Sequence, residues 1–241
     1  MTQDQVTTFV DSDLREARFI RTTLTGAVMR SVDVSGLDID APWLPEGTLL
    51  VNGVDVVPFV EAEINRRFPG RELRDAGDPD GLRAAWAALE RAWAVAVDRL
   101  TALPAGTADL SVDGEWSFAQ TVRHLVFATD VWLGRTILRR PQPLHPLGQP
   151  HAEYETDGYD MSVFATARPS LAEVLDLRAE RQTMMRDFLA SVTPELLAES
   201  RPHPWSPDTE ATVLRCLHVI LHEEWEHLRF ALRDLDALVR P

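Results

Sequence analysis

Residues 211–236, Ala-Thr-Val-Leu-Arg-Cys-Leu-His-Val-Ile-Leu-His-Glu-Glu-Trp-Glu-His-Leu-Arg-Phe-Ala-Leu-Arg-Asp-Leu-Asp, carry acid and imidazole groups on the side that a helix should keep dry. At about 100° per residue, Cys216, Leu217, Ile220, Leu221, Leu228, Ala231 and Leu235 form one broad apolar arc. Glu223 and His227 project within that arc. Four residues apart, their side chains stack one turn above the other. A carboxylate and an imidazole in a dry place cost free energy unless something compensates them, and a metal ion is one such partner. The alternative is that the two bond each other or a core arginine.

The same segment holds a competing pair. His218 and His222 share the i, i+4 spacing that suits two ligands of one metal, but they fall with Arg215, Arg229 and Arg233 on the polar side. The inward pair is preferred, because a catalytic metal needs a shaped, water-poor cavity. A third ligand comes from Trp116 to Leu133, which reads as a helix with Ser117 as N-cap and Gln120 closing a capping box. Apolar residues surround it almost completely, as in a helix buried in a bundle. His124 lies among Phe127, Ala128 and Val131. A lone histidine on such a face is commonly a satisfied core residue; with Glu223 and His227 on another helix it becomes a ligand candidate. The expected metal ligands are therefore His124, Glu223 and His227. The alternative set is His218 and His222 with His124. Asp130 and Asp234 are candidates to orient the histidines, with a cap or a salt bridge left open for each.

At the other end, Phe9, Leu14, Phe19, Leu24, Met29, Val34 and Ile39 recur every five residues. Small residues, Thr7, Ser12, Ala17, Thr22 and Ala27, stand two places before the first five. This period is neither that of a helix nor that of a strand. It resembles the pentapeptide-repeat family, whose coils stack as a four-sided right-handed β-helix with the central Leu or Phe inside. The pattern weakens after Met29, where Val32 and Leu37 are large, and it supplies fewer than two coils. So short a solenoid must lean on something else.

Residues 1–40 are thus read as a pentapeptide-repeat segment and 41–81 as a connector. The connector holds a hairpin at Asn52-Gly53 and a short helix from Pro58 through Phe68, stopped by Pro69-Gly70. Residues 82–241 carry four long helices: one to about Leu103, one from about 117 to 138, one opened by the Ser170/Glu173 capping box through Ser191, and the last one. A short helical turn follows Pro194, and 201–207 reads as a rigid proline-rich loop. The fold class is mainly α, a four-helix bundle with a long crossover between helices two and three. The crossover, 139–169, is placed to roof a site, since loops of that length are uncommon without a function.

The net charge of -14 argues against nucleic-acid phosphates or an anionic membrane as partner. No apolar run approaches the ~20 residues of a membrane span, and Met-Thr-Gln-Asp-Gln lacks the regions of an export signal. Cys216 is the single cysteine, so an internal disulfide is excluded and a cytoplasmic location is expected. Its place on the apolar arc marks an inert core thiol. A small-molecule substrate is the expected partner, with a homodimer left open.

Residues from roughly 82 to 238 resemble the DinB-like superfamily of metal-binding four-helix bundles. The resemblance rests on His124, on Glu223 and His227, and on the long connection. Much of that superfamily has His-x-x-x-His in the last helix. The Glu-x-x-x-His found here is similar to its mycothiol-dependent maleylpyruvate isomerase branch. Glu-Glu-Trp-Glu-His and Arg-Asp-Leu-Asp also resemble bacterial proteins that join a pentapeptide segment to such a bundle. The resemblance implies a divalent metal on His124, Glu223 and His227, zinc first and nickel or iron as alternatives. It also implies a low-molecular-weight thiol as co-substrate, for S-transfer or isomerisation. The isomerase, however, has an added C-terminal domain that helps bind substrate, whereas the added material here is N-terminal. Fold and metal site can carry over where the reaction does not. Two rival readings are a non-catalytic metal-binding stress-response or protein-interaction module, and a metal-free sensor with a pocket of tryptophans (Trp86, Trp93, Trp116, Trp132, Trp205).

Overall fold

A computed structural model describes residues 7–165 and 168–239, without the side chain of Pro207. Residues 1–5, read above for an export signal, and 166–167 of the long connection lie outside the described residues. The chain divides into two compact units, Met1–Ala41 and Pro42–Pro241.

In the first unit the five-residue period is also a property of the backbone. φ is positive at Asp11, Glu16, Arg21, Gly26, Ser31 and Gly36, one left-handed residue in every five. The amides of Ala17, Ala27 and Leu37 donate to the carbonyls of Leu14, Leu24 and Val34, closing the same tight turn in alternate pentads. The expectation of inward Phe and Leu side chains is not met. Phe9, Leu14, Phe19, Leu24, Met29, Val34 and Ile39 are 46–61% exposed. A coil's interior is sealed by the coils above and below it, and this segment is too short to supply them.

The second unit opens with a hairpin. Strands β1 (Leu50–Val51) and β2 (Val54–Asp55) pair antiparallel around Asn52 and Gly53, whose φ values of +50° and +82° are those a two-residue I′ turn demands. Helix α1 (Val57–Arg67) follows, with Pro58 in its first turn. Gly70 then turns the chain with φ +98°, so tightly that an added Cβ would lie 2.5 Å from the Ala88 Cβ. Gly70→Ala is expected to lose about 2–4 kcal/mol, from the left-handed backbone and the overpacking together; urea denaturation measures it.

The sequence reading did not foresee the 3₁₀ turn at Arg71–Asp75. It packs on helices α2 (Pro79–Thr101) and α6 (Val213–Val239). The Arg71 guanidinium, 2% exposed, donates to Glu61 at 3.0 Å, Asn65 at 2.7 Å and Glu226 at 3.3 Å. The connector is therefore part of the same core as the long helices.

Two more long helices are α3 (Phe118–Thr129) and α4 (Leu171–Ser191). Their starts follow from local chemistry: Ser117 with Gln120, and Ser170 with Glu173, form reciprocal capping boxes. Asp78 caps α2 by accepting from the amides of Asp80 and Gly81, both at 3.0 Å. Helix α2 packs on α4 and α6, and α3 packs on the same two. Leu82, Trp86, Leu89, Leu125, Met185 and Leu228 are almost inaccessible where they meet.

Two parts of this unit depart from the expected elements. Helix α3 runs on into a π-helical segment, Asp130–Ile137, in which the Leu138 amide donates 2.9 Å to the carbonyl of Leu133, five residues back. Over two turns the apolar pattern of a π segment is hard to tell from that of an α-helix. The 201–207 stretch, expected to be a rigid loop, forms a hairpin after the short helix α5 (Pro194–Ala198). Its strands are β3 (Ser200–His203) and β4 (Ser206–Thr212). Each strand of a two-stranded ribbon has an unpaired edge, which is where proline is tolerated. The hairpin takes Ala211 and Thr212 from the final helix, which starts at Val213. No described helix is long and apolar enough to cross a membrane.

Candidate metal centre

The buried line of α6 runs through Val213, Leu217, Ile220, Glu224, Leu228, Ala231 and Leu235. Glu223 and His227, expected well inside the arc, sit half-buried on its border. The acid in the core is Glu224, 1% exposed, and both its oxygens accept from Nη2 of Arg178 on α4. The Trp86 ring lies 6.0 Å from that guanidinium. Burial pushes the Glu224 carboxyl up from its ordinary range, and Arg178 pulls it part of the way back. Sequence reasoning missed this pair, although Glu224 fits the 3-4 spacing of the buried line.

His124, Glu223 and His227 converge from α3 and α6. Glu223 Oε2 lies 3.1 Å from His227 Nε2 and 3.5 Å from His124 Nε2. The three side chains offer ligand atoms that all lie within 4.8 Å of one another. Trp116 covers both imidazoles, with ring centroids 4.7 Å from His124 and 6.0 Å from His227. Burial resists ionisation of Glu223, yet the hydrogen bonds from His124 and His227 outweigh it and hold the carboxyl below its ordinary range.

The long connection builds one side of the site. His124 Nδ1 lies 2.9 Å from the main-chain carbonyl of Gln149. A carbonyl can only accept, so Nδ1 carries a proton, and Nε2 is the ring nitrogen turned toward Glu223. The Gln149 amide donates 3.1 Å to the carbonyl of Arg123, and Arg123 Nε donates 2.8 Å to the carbonyl of Leu147. Arg123 is thus spent on fastening the connection to α3. Phe127, beside His124, meets Tyr154 and Phe164 of the connection and Trp205 of the second hairpin. These rings form an apolar wall one helical turn from His124.

The donor set fits a metal. Four-coordinate zinc with bonds near 2.1 Å sets its ligand atoms about 3.4 Å apart, and the two contacts of Glu223 are 3.1 and 3.5 Å. A second observation agrees: the one group of three such side chains found among the described residues is this one.

Other candidates are engaged elsewhere. His218 Nε2 meets the carbonyl of Ala76 at 2.9 Å, and His222 Nε2 meets Asp75 at 2.7 Å, so this pair docks the 3₁₀ turn onto α6. Burial lowers the His222 pKa and Asp75 partly restores it. Asp130 does not orient a ligand histidine. Its carboxylate accepts from Arg181 Nε at 2.6 Å and from the His145 amide at 2.9 Å, because the π turn aims it at α4 and the connection. Asp234 accepts instead from Arg233 Nε at 2.8 Å, its neighbour in sequence. The partner that orients His124 is main chain, which no residue type in the sequence could announce. Trp86, Trp93 and Trp132 are core residues.

Cys216 is fully buried, and burial pushes its thiol up to about 11. A thiol must ionise to react, so alkylation of the folded protein by iodoacetamide at neutral pH is expected to be slow and to rise sharply in denaturant. Rapid labelling under native conditions would contradict this.

The whole is a mainly helical protein in which two histidines and a carboxylate converge from two helices beneath a fastened connection. A sequence model of the DinB superfamily matches residues 88–231, a span that includes all three of these residues. The chain belongs to the DinB superfamily. No curated protein and no solved structure matches it.

Proposed function

We propose that the chain is a metal-dependent enzyme of the DinB superfamily that acts on a small molecule with a low-molecular-weight thiol as co-substrate. In this reading α2, α3, α4 and α6 are its four-helix bundle, residues 1–40 are a pentapeptide-repeat segment, and His124, Glu223 and His227 hold one divalent ion, zinc in the first place. The observation that carries it is the convergence of His124, Glu223 and His227 from two helices, with ligand atoms within 4.8 Å of one another. The Gln149 carbonyl adds to it by holding a proton on His124 Nδ1, which leaves Nε2 as the atom that this ring would offer to the ion. When bound, such an ion supplies a Lewis acid that favours the ionised form of a water or thiol beside it.

The chain's own groups do the rest. Ionised Glu223 contributes the one negative charge among the three ligands, leaving positions open for exchangeable groups. Trp116 shields the two imidazoles from water, and the packed rings of Phe127, Tyr154 and Trp205 back the site with apolar core. The Glu-x-x-x-His order in α6 supports the mycothiol-dependent branch, with S-transfer or isomerisation as the reaction. No nucleophile need come from the chain, which agrees with a buried Cys216.

A second reading keeps the metal and drops the reaction. It is favoured by the exposed row from Phe9 to Ile39, an apolar surface suited to a protein partner. The test is a screen of mycothiol and other small thiols against electrophiles and cis-enoic acids, with wild type, His124→Ala and Cys216→Ser. Thiol-dependent turnover is expected in wild type and Cys216→Ser and absent in His124→Ala. Turnover that needs Cys216 and no added thiol would overturn the mechanism, and absence of any turnover would favour the second reading.

A further inference from the structure

A cavity of about 280 Å³ opens between α2 and α4, and none of the three candidate ligands lines it. At ~30 Å³ of liquid volume per water, it has room for about nine waters or one fragment-sized molecule. Trp93, Val97, Val122 and Leu175 give it an apolar wall. Arg178 lines it as well, and this residue is only 5% exposed.

Arg178 spends Nη2 on Glu224, but its buried Nη1 has no acceptor. The Trp93 indole N–H turns toward Glu224 without making a well-formed hydrogen bond, so it too is under-used. A buried donor left unmet costs about 1–3 kcal/mol, and such groups are usually satisfied by water or a ligand.

Charge decides what kind of ligand. Glu224 already balances Arg178, and at the mouth Glu90 pairs with Arg186. With Glu224 counted behind the lining each cation there has its anion, so an added carboxylate would find no spare counter-ion. A carbonyl oxygen brings an acceptor without a charge.

We infer that this cavity binds a small neutral molecule that presents a carbonyl or amide oxygen to Arg178 Nη1 and lays an apolar body against Trp93 and Val122. The site is independent of the metal reading, since its lining shares no residue with His124, Glu223 and His227.

Ligand-observed NMR and calorimetry on the full chain test this with three probes of one size: benzamide, benzoate and toluene. Benzamide is expected to bind at least about tenfold more tightly than either of the others, a margin of one well-met hydrogen bond. Two variants locate it. Arg178→Lys keeps a cation for Glu224 but replaces the two-nitrogen fork by a single nitrogen held at that carboxylate, and Ala94→Trp fills the mouth from an exposed position on α2. Each is expected to weaken benzamide at least about tenfold, while His124→Ala leaves it unchanged. Should Arg178→Lys fail to fold, Ala94→Trp decides alone. Equal binding of toluene and benzamide, undiminished binding in Ala94→Trp, or loss in His124→Ala would each overturn the assignment. Silence of all three probes at roughly 10 mM, where a fragment with its hydrogen bond met should register, would mean that the cavity holds water only.

Discussion

His124→Ala and His227→Ala are expected to abolish metal binding, while His218→Ala and His222→Ala retain about one ion per chain. The difference lies in what each ring nitrogen faces. Those of His124 and His227 point at Glu223, 3.5 and 3.1 Å away. Those of His218 and His222 are taken up by Ala76 and Asp75. Loss of an outer hydrogen-bonding partner alone costs about 10–100-fold in affinity, so loss of one of three ligands should exceed that. Elemental analysis of the purified proteins and competition with a chelator measure it. If His222→Ala loses the ion and Glu223→Ala keeps it, the wrong pair on α6 has been chosen.

Glu224→Ala is expected to destabilise the fold by about 3–5 kcal/mol, because it strands the Arg178 guanidinium in the core. The double variant Arg178→Met/Glu224→Leu should recover most of that loss or surpass the wild type, since an apolar pair avoids the desolvation of two charges. Denaturant midpoints with unchanged slopes are the measurement. A double variant as unstable as the single one would show that Arg178 is held for its hydrogen bonds or for the cavity it lines.

Much of the helical structure was legible because it depends on contacts three and four residues apart. The boxes Ser117/Gln120 and Ser170/Glu173 and the Asn52-Gly53 turn are of this kind, and each forms where the sequence placed it. The convergence of His124 with Glu223 and His227 was also legible, since one i, i+4 pair and one histidine on a second apolar helix have few other ways to be buried. A helical wheel, however, treats the helix as isolated. Here even the wheel is misread when Glu223 is placed within the arc, because Glu224 keeps the 3-4 spacing with Ile220 and Leu228 and is the acid in the core.

The sequence by itself determined the local elements and the residue types able to meet at the site, because periodicity, caps and turns act through neighbours along the chain. Only the tertiary structure decided the partners. Gln149 orients His124 across 25 residues, and Arg178 neutralises Glu224 across 46. Asp130 went to Arg181, 51 residues away, rather than to a histidine. A hydrogen bond at such separations depends on where the chain returns and which way each helix is turned about its axis. Those are set by packing of the whole core, not by the spacing of residues on one helix.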